Sequence, residues 1–176
     1  VPEVSDMYDN LTAYEYVCFI GMLYGIEEDK AVAKGKEMMS VFGIDDAIYG
    51  RIHTFSKGMR QKLSIITGML HNPDILFLDE PLGGMDANSV LVFKEILKNL
   101  KEEGKTIFYS SHILEVVEKL SDRILLIDGG KIVIDGTVTD VMSKQSDTSL
   151  ESIFNDVTGF HDHEALARKF TDVFMS

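Results

Sequence analysis

The 176-residue sequence predicts an α/β fold: a parallel sheet core joined to an α-helical subdomain. Three observations carry the prediction. The run Ile75–Leu78 is apolar without a break and ends in Asp79-Glu80-Pro81, which reads as a strand buried on both faces, the habit of parallel sheets. Downstream of it strand-like and helix-like patterns alternate, and upstream of it only helical spacing is found.

The elements follow in order. Thr12 with Glu15 forms a capping box that opens a helix through about Tyr24, with Val17, Ile20 and Tyr24 at helical spacing. A second helix runs from about Asp29 to Phe42 and stops before Gly43, and Asp45–Tyr49 reads as a short helix. Ser56 caps a third, Lys57–Leu70, which Asn72-Pro73 ends. The strand Ile75–Asp79 comes next. Val90, Phe93, Leu97 and Leu100 mark one face of a helix from about Ala87 to Glu103. Thr106–Ser110 is a strand, Ile113–Leu120 a helix and Arg123–Asp128 a strand that turns at Gly129-Gly130 into Lys131–Asp135. Thr137 caps a short helix to about Lys144, Lys144–Ser149 is a polar linker, and Leu150–Val157 and Ala165–Phe174 are further helices.

Bulk properties narrow the function. Seventeen basic against 29 acidic residues give a net charge of −12, and residues 1–50 hold ten acids against three bases. A nucleic-acid reader carries a basic stripe, and none is visible. The longest uncharged run, Tyr16–Ile26, has 11 residues and is too short to span a bilayer. The single cysteine, Cys18, lies in an apolar helical stretch and reads as a small buried hydrophobe, which fits a reducing setting.

Ligands of open parallel sheets sit beyond the carboxyl ends of the strands, where Asp79 and Glu80 stand. One carboxylate there can hold Mg²⁺ and the other can polarise an attacking water. Three blocks share the chain in a fixed order: FSKGMRQKL (Phe55–Leu63), ILFLDEPLGGMD (Ile75–Asp86) and YSSHILEVVEKLSDRILLIDGGKIVIDG (Tyr109–Gly136). In this order and spacing they resemble the ATP-binding subunit of ABC transporters, of the drug- and antibiotic-export type. The likeness runs from Val1 to about Gly159. SKGMRQ resembles the signature motif, LFLDEP the Walker B strand with its catalytic Glu, GGMD the D-loop and SSH the switch-histidine loop.

The resemblance implies a residue set. Glu80 would be the general base, His112 a γ-phosphate contact that aligns the water, and Asp79 the Mg²⁺ holder. Ser56, Lys57 and Gly58 would serve the nucleotide held by the opposite subunit. Lys57 and Met59 depart from the common Leu-Ser-Gly-Gly-Gln, a pattern the export type tolerates. Asp86 would communicate across the dimer, with a plain helix N-cap as an equally good local reading. Glu3 falls where the family often has the Q-loop Gln. Gln61 packs or hydrogen-bonds within its helix. Tyr8, Tyr14, Tyr16, Tyr24 and Tyr49, with Met7, Phe19 and Met22, would dock on the cytoplasmic helices of a membrane subunit, or serve as helix core. His161-Asp162-His163-Glu164 suits no specific metal and reads as tail.

No GxxxxGK(S/T) occurs in the chain. The sequence therefore reads as the C-terminal part of a P-loop NTPase domain of the ABC type, without the Walker A strand and loop. Residues 1–72 would be the Q-loop end, helical subdomain and signature helix, 73–159 the C-terminal part of the ATPase core, and 160–176 an extension. The expected partners are a membrane-spanning permease and a second ATPase subunit, homo- or heterodimeric. The expected cofactors are ATP and Mg²⁺, and the location the cytoplasmic face of the cell membrane. Alone, the fragment would be inactive and would self-associate, because the missing strand should lie between Thr106–Ser110 and Arg123–Asp128. The rival readings are a soluble ABC-type ATPase acting on ribosomes or DNA, and a catalytically inactive interaction module.

Overall fold

The computed structural model describes residues 1–3, 6–143, 149–159 and 163–175. The chain forms two compact units, Val1–His112 and Ile113–Ser176. The segments expected from the sequence divide after residues 72 and 159.

The first unit begins with three helices. In α1 (Ala13–Leu23) the Thr12 hydroxyl accepts the Glu15 N–H, and the Glu15 carboxylate takes the Thr12 N–H at 2.7 Å, so the expected capping box is complete. α2 (Glu28–Val41) packs on α1 at close range. A Cβ at Gly35 would stand 2.6 Å from Val17 Cγ1, and one at Gly21 2.5 Å from Ala31 Cβ, so both helix faces need small residues there. Two single 3₁₀ turns, Asp45–Ala47 and Ile52–Thr54, lead into α3 (Lys57–Met69). The first of them stands where a short helix was expected. Ser56 caps α3 by accepting the Met59 N–H at 3.2 Å. Val17, Ala31, Met39, Ile52, Leu63, Ile66 and Leu70 are fully buried in this unit. Cys18 is buried as expected.

β1 (Ile75–Asp79) pairs in parallel with β2 (Thr106–Ser110), with Ile75 opposite Thr106 and Asp79 opposite Ser110. The connecting helix α4 (Ala87–Glu102) buries Phe93 and Leu97. The expectation that β1 is buried on both faces is corrected here. Leu76 and Leu78 are buried, but Ile75 and Phe77 are 55% and 64% exposed. On that open face Phe77 stacks on Phe108 of β2, centroids 4.7 Å apart. An unbroken apolar run marks both faces of a strand as able to be covered; it does not say that both are covered within the same chain.

The second unit holds α5 (Leu114–Leu120), the antiparallel hairpin β3 (Arg123–Asp128) and β4 (Lys131–Thr137), then α6 (Val138–Ser143), α7 (Leu150–Thr158) and α8 (His163–Met175). Gly129 and Gly130 turn the hairpin at φ 53° and 76°, a two-residue turn that needs positive φ twice. Arg123 and Asp135 pair across it at 2.7 Å. Thr137 caps α6 by accepting the Asp140 N–H. Among the described residues of this unit, Val116, Ile124, Val141, Leu150 and Ile153 are buried. β2 and β3 belong to separate two-stranded sheets. Most of the expected linker (144–148) and part of the His161–Glu164 run lie outside the described residues. Among the described residues no cluster of His, Cys, Asp and Glu is arranged to hold a metal, and no helix is long and apolar enough to cross a membrane.

Candidate functional site

Two groups of side chains in the first unit make up the site. The first forms where β1 and β2 end side by side. Because Asp79 lies opposite Ser110, its Oδ1 accepts the Ser110 hydroxyl at 2.5 Å, and its carboxylate attracts the Val1 ammonium group electrostatically. Glu80 then leaves the strand at φ 44°, one of two non-glycine residues with positive φ among those described. A side chain in that left-handed region costs about 1–3 kcal/mol and persists only where neighbours hold it. The neighbours are on β2 and the loop after it. The Glu80 N–H donates to the Ser110 carbonyl at 3.1 Å. Its Oε1 accepts the His112 N–H at 2.7 Å and lies 2.8 Å from His112 Nδ1. The Ser111 hydroxyl faces Oε2 at 3.4 Å. The Glu80 side chain is 22% exposed and that of His112 80%. The two adjacent carboxylates thus turn to different partners, Asp79 to a hydroxyl and Glu80 to the His112 loop.

The second group links the start of α3 to the loop before α4. The first-turn N–H groups of Lys57 and Gly58 have no intrahelical acceptor. Gly58 is held against the Gly84 backbone: a Cβ there would run into the Gly84 carbonyl oxygen. Gly84 itself sits at φ 78°, against the stem of Lys57. Asp86 caps α4, its Oδ1 accepting the Ser89 N–H at 2.9 Å and its Oδ2 the Ser89 hydroxyl at 2.6 Å. Lys62 adds a 2.8 Å ion pair to the same Oδ2. The Lys62 ammonium, then the Ser89 donors, holds the Asp86 carboxyl well below the usual carboxylate range. Replacing Gly58 by Ala should therefore push the 83–85 loop off the start of α3. Overpacking of this kind costs about 1–3 kcal/mol, read as a lower urea midpoint of this chain, whereas a midpoint equal to that of the parent would show the two backbones not to touch.

The remaining expected residues fall as follows. Glu3 is exposed and has no hydrogen bond to either group. Gln61 is buried at 4% exposure, so packing is its role, and its amide nitrogen finds no partner among the described residues. Tyr8, Met22, Tyr24 and Tyr49 are between 57% and 73% exposed, while Met7 and Val17 are core. Tyr8 meets Phe19 edge-on at 5.4 Å, Tyr14 stacks on Tyr49, and Tyr24 stacks on His71 at 3.6 Å. Ser110, Ser111 and Lys62 were missed by reasoning from sequence. The serines stood beside His112 in the same motif, and Lys62 is a lone cation inside a stretch, Gln61–Thr67, whose every residue is buried.

Comparisons with known proteins give the family. The family model described as ABC transporter matches residues 1–83. The chain is 37% identical over 150 residues to the ABC transporter ATP-binding protein NatA of Bacillus subtilis, covering 85% of this chain and 61% of NatA. A solved chain described as the ATP-binding subunit of an ABC transporter superposes with a TM-score of 0.83 at 27% identity, over 90% of this chain and 67% of that one. The chain belongs to the ATP-binding proteins of ABC transporters.

Within that family it is also similar to two proteins named for resistance. One is the linearmycin resistance ATP-binding protein LnrL of Bacillus subtilis, 38% identical over 82% of this chain and 46% of LnrL. The other is the daunorubicin/doxorubicin resistance ATP-binding protein DrrA of Streptomyces peucetius, 31% identical over 90% of this chain and 48% of DrrA. The chain thus spans between about half and three fifths of the length of these ABC ATP-binding proteins. Its fold is that of the corresponding portion of an ABC ATP-binding subunit.

Proposed function

We propose that this chain supplies the catalytic carboxylate, the switch histidine and the signature helix of an ATP-hydrolysing subunit that drives an exporter. The observation that carries the reading is the hold of His112 and Ser111 on Glu80 at the end of β1. Glu80 takes the proton of the attacking water. With Nδ1 directed at Glu80, His112 leaves Nε2 as the ring nitrogen that meets a phosphate oxygen. Asp79 would offer a carboxylate oxygen to Mg²⁺ or to a water of the ion, a hard oxygen donor of the kind that cation takes. When bound, Mg²⁺ neutralises charge developing on the phosphates.

Ser56, Lys57 and Gly58 present a helix N-terminus with free N–H groups and a cation to the nucleotide of a second subunit. Asp86 lies at the same junction and Glu3 at the Q-loop position. The exposed aromatic and Met residues of α1 and the loop before it face a membrane-spanning permease at the cytoplasmic side. Resistance relatives favour export over import. Because this chain holds no phosphate loop, turnover belongs to a polypeptide that supplies one together with it. By itself the chain is proposed to be inactive and to pair with a second copy. The test is Mg²⁺-dependent phosphate release by the full-length subunit. Release that scales with the square of subunit concentration at low concentration supports a shared site, and a folded, ATP-binding subunit that releases none sinks the reading.

A further inference from the structure

We propose that Lys62 is a positioning residue that fixes the loop 83–86 to the signature helix, so that displacement of α2 and α3 is passed to Asp86. The inference rests on the reading of these two segments as signature and D-loop. Its physical basis is the burial of one ammonium group. The Lys62 side chain is 9% exposed, which for a lysine requires that its charge be met inside the protein. Two acceptors meet it. One is Asp86 Oδ2 at 2.8 Å; the other is the carbonyl of Phe42, the residue that closes α2, at 3.2 Å. A single charge therefore ties together three segments distant in sequence: the end of α2, the middle of α3 and the N-cap of α4.

The Asp86 carboxylate is already committed to Ser89, so it cannot follow Lys62 without carrying the first turn of α4 with it. The contact of Gly58 with the Gly84 carbonyl clamps the other end of the same loop to the same helix. Held at both ends, the loop moves as a body with α3. Asp86 is 56% exposed, so on its other side it is open to a partner subunit while its position is set from behind by Lys62.

The substitution Lys62→Met keeps the stem and removes the charge. In the full-length subunit it should lower kcat roughly ten- to hundredfold with KM for ATP little changed, since positioning and not nucleotide contact is lost. Lys62→Arg should recover much of the rate. Asp86→Asn keeps a good N-cap but loses the ion pair, and Lys62→Met in that background should cost no more than a further twofold. The second readout needs no turnover. In this chain, amide exchange of residues 83–89 should quicken in Lys62→Met and in Asp86→Asn, and return toward the parent rate in Lys62→Arg, while the α3 core stays protected. Unchanged exchange in Asp86→Asn overturns the proposal even where Lys62→Met fails to fold, and rate losses that multiply in the double variant overturn it as well. An inactive parent subunit with the expected exchange pattern would overturn the ATPase reading and leave the loop tie standing.

Discussion

Glu80→Gln in the full-length subunit should lower kcat by about 10²- to 10⁴-fold while ATP binds with nearly the parent affinity. The amide reproduces what holds the carboxylate in place. With its oxygen at the Oε1 position it still accepts the His112 N–H and the Nδ1 proton, and its NH₂ group meets the Ser111 hydroxyl in place of Oε2. The backbone at φ 44° is no harder for Gln than for Glu, so the turn into Pro81 survives. Only the proton acceptor is lost. Single-turnover hydrolysis with equilibrium nucleotide binding separates the two effects. A variant that hydrolyses at close to the parent rate would remove Glu80 as the base and move that role elsewhere in the His112 loop. A variant that loses binding in the same proportion as rate would show that Glu80 holds nucleotide.

Much of this was legible in the sequence because the relevant signals are local. The capping box at Thr12 and Glu15, the Ser56 cap and the Gly129-Gly130 turn each depend on residues within a few positions of one another, and all three formed as read. The bounds of β1, β2 and β3 matched for the same reason: each is an apolar run ended by a charge or a serine. What stayed hidden is set by contacts far apart in the chain. That Asp79 would turn to Ser110 and Glu80 to Ser111 and His112 follows from the parallel register of β1 on β2, which no single window contains. The part of Lys62 depends on where α2 ends relative to α3. The apolar run of β1 concealed an open face for a related reason. Its composition reports what the strand can be packed against, and Ile75 and Phe77 are uncovered in this chain.

That open face should make the isolated chain associate. Ile75, Phe77 and Phe108 are 55%, 64% and 47% exposed on one side of a sheet of two strands, and the outer edge of β2 carries no further strand among the described residues. An uncovered apolar face beside an unpaired edge is a template for another copy. Fully burying a Phe side chain is worth about 1.5–3 kcal/mol, and Phe77 and Phe108 still expose 64% and 47% of theirs, so two copies that cover them on each other gain roughly 3–7 kcal/mol gross. Association costs about 4–15 kcal/mol, so the apolar face needs backbone pairing along the open edge of β2 beside it, and the association is weak. Sedimentation velocity from about 10 µM to 500 µM should show the mass rise with concentration across that span. Phe108→Lys puts a charge in the middle of the face and should hold the chain monomeric without unfolding it, since Phe108 is half exposed and lies outside the buried core. A parent chain that stays monomeric to the top of the range would show that the stacked pair Phe77–Phe108 covers the face well enough by itself. A Phe108→Lys chain that associates as strongly as the parent would move the contact away from this sheet, to the exposed apolar side chains of α8: Leu166, Phe170 and Phe174.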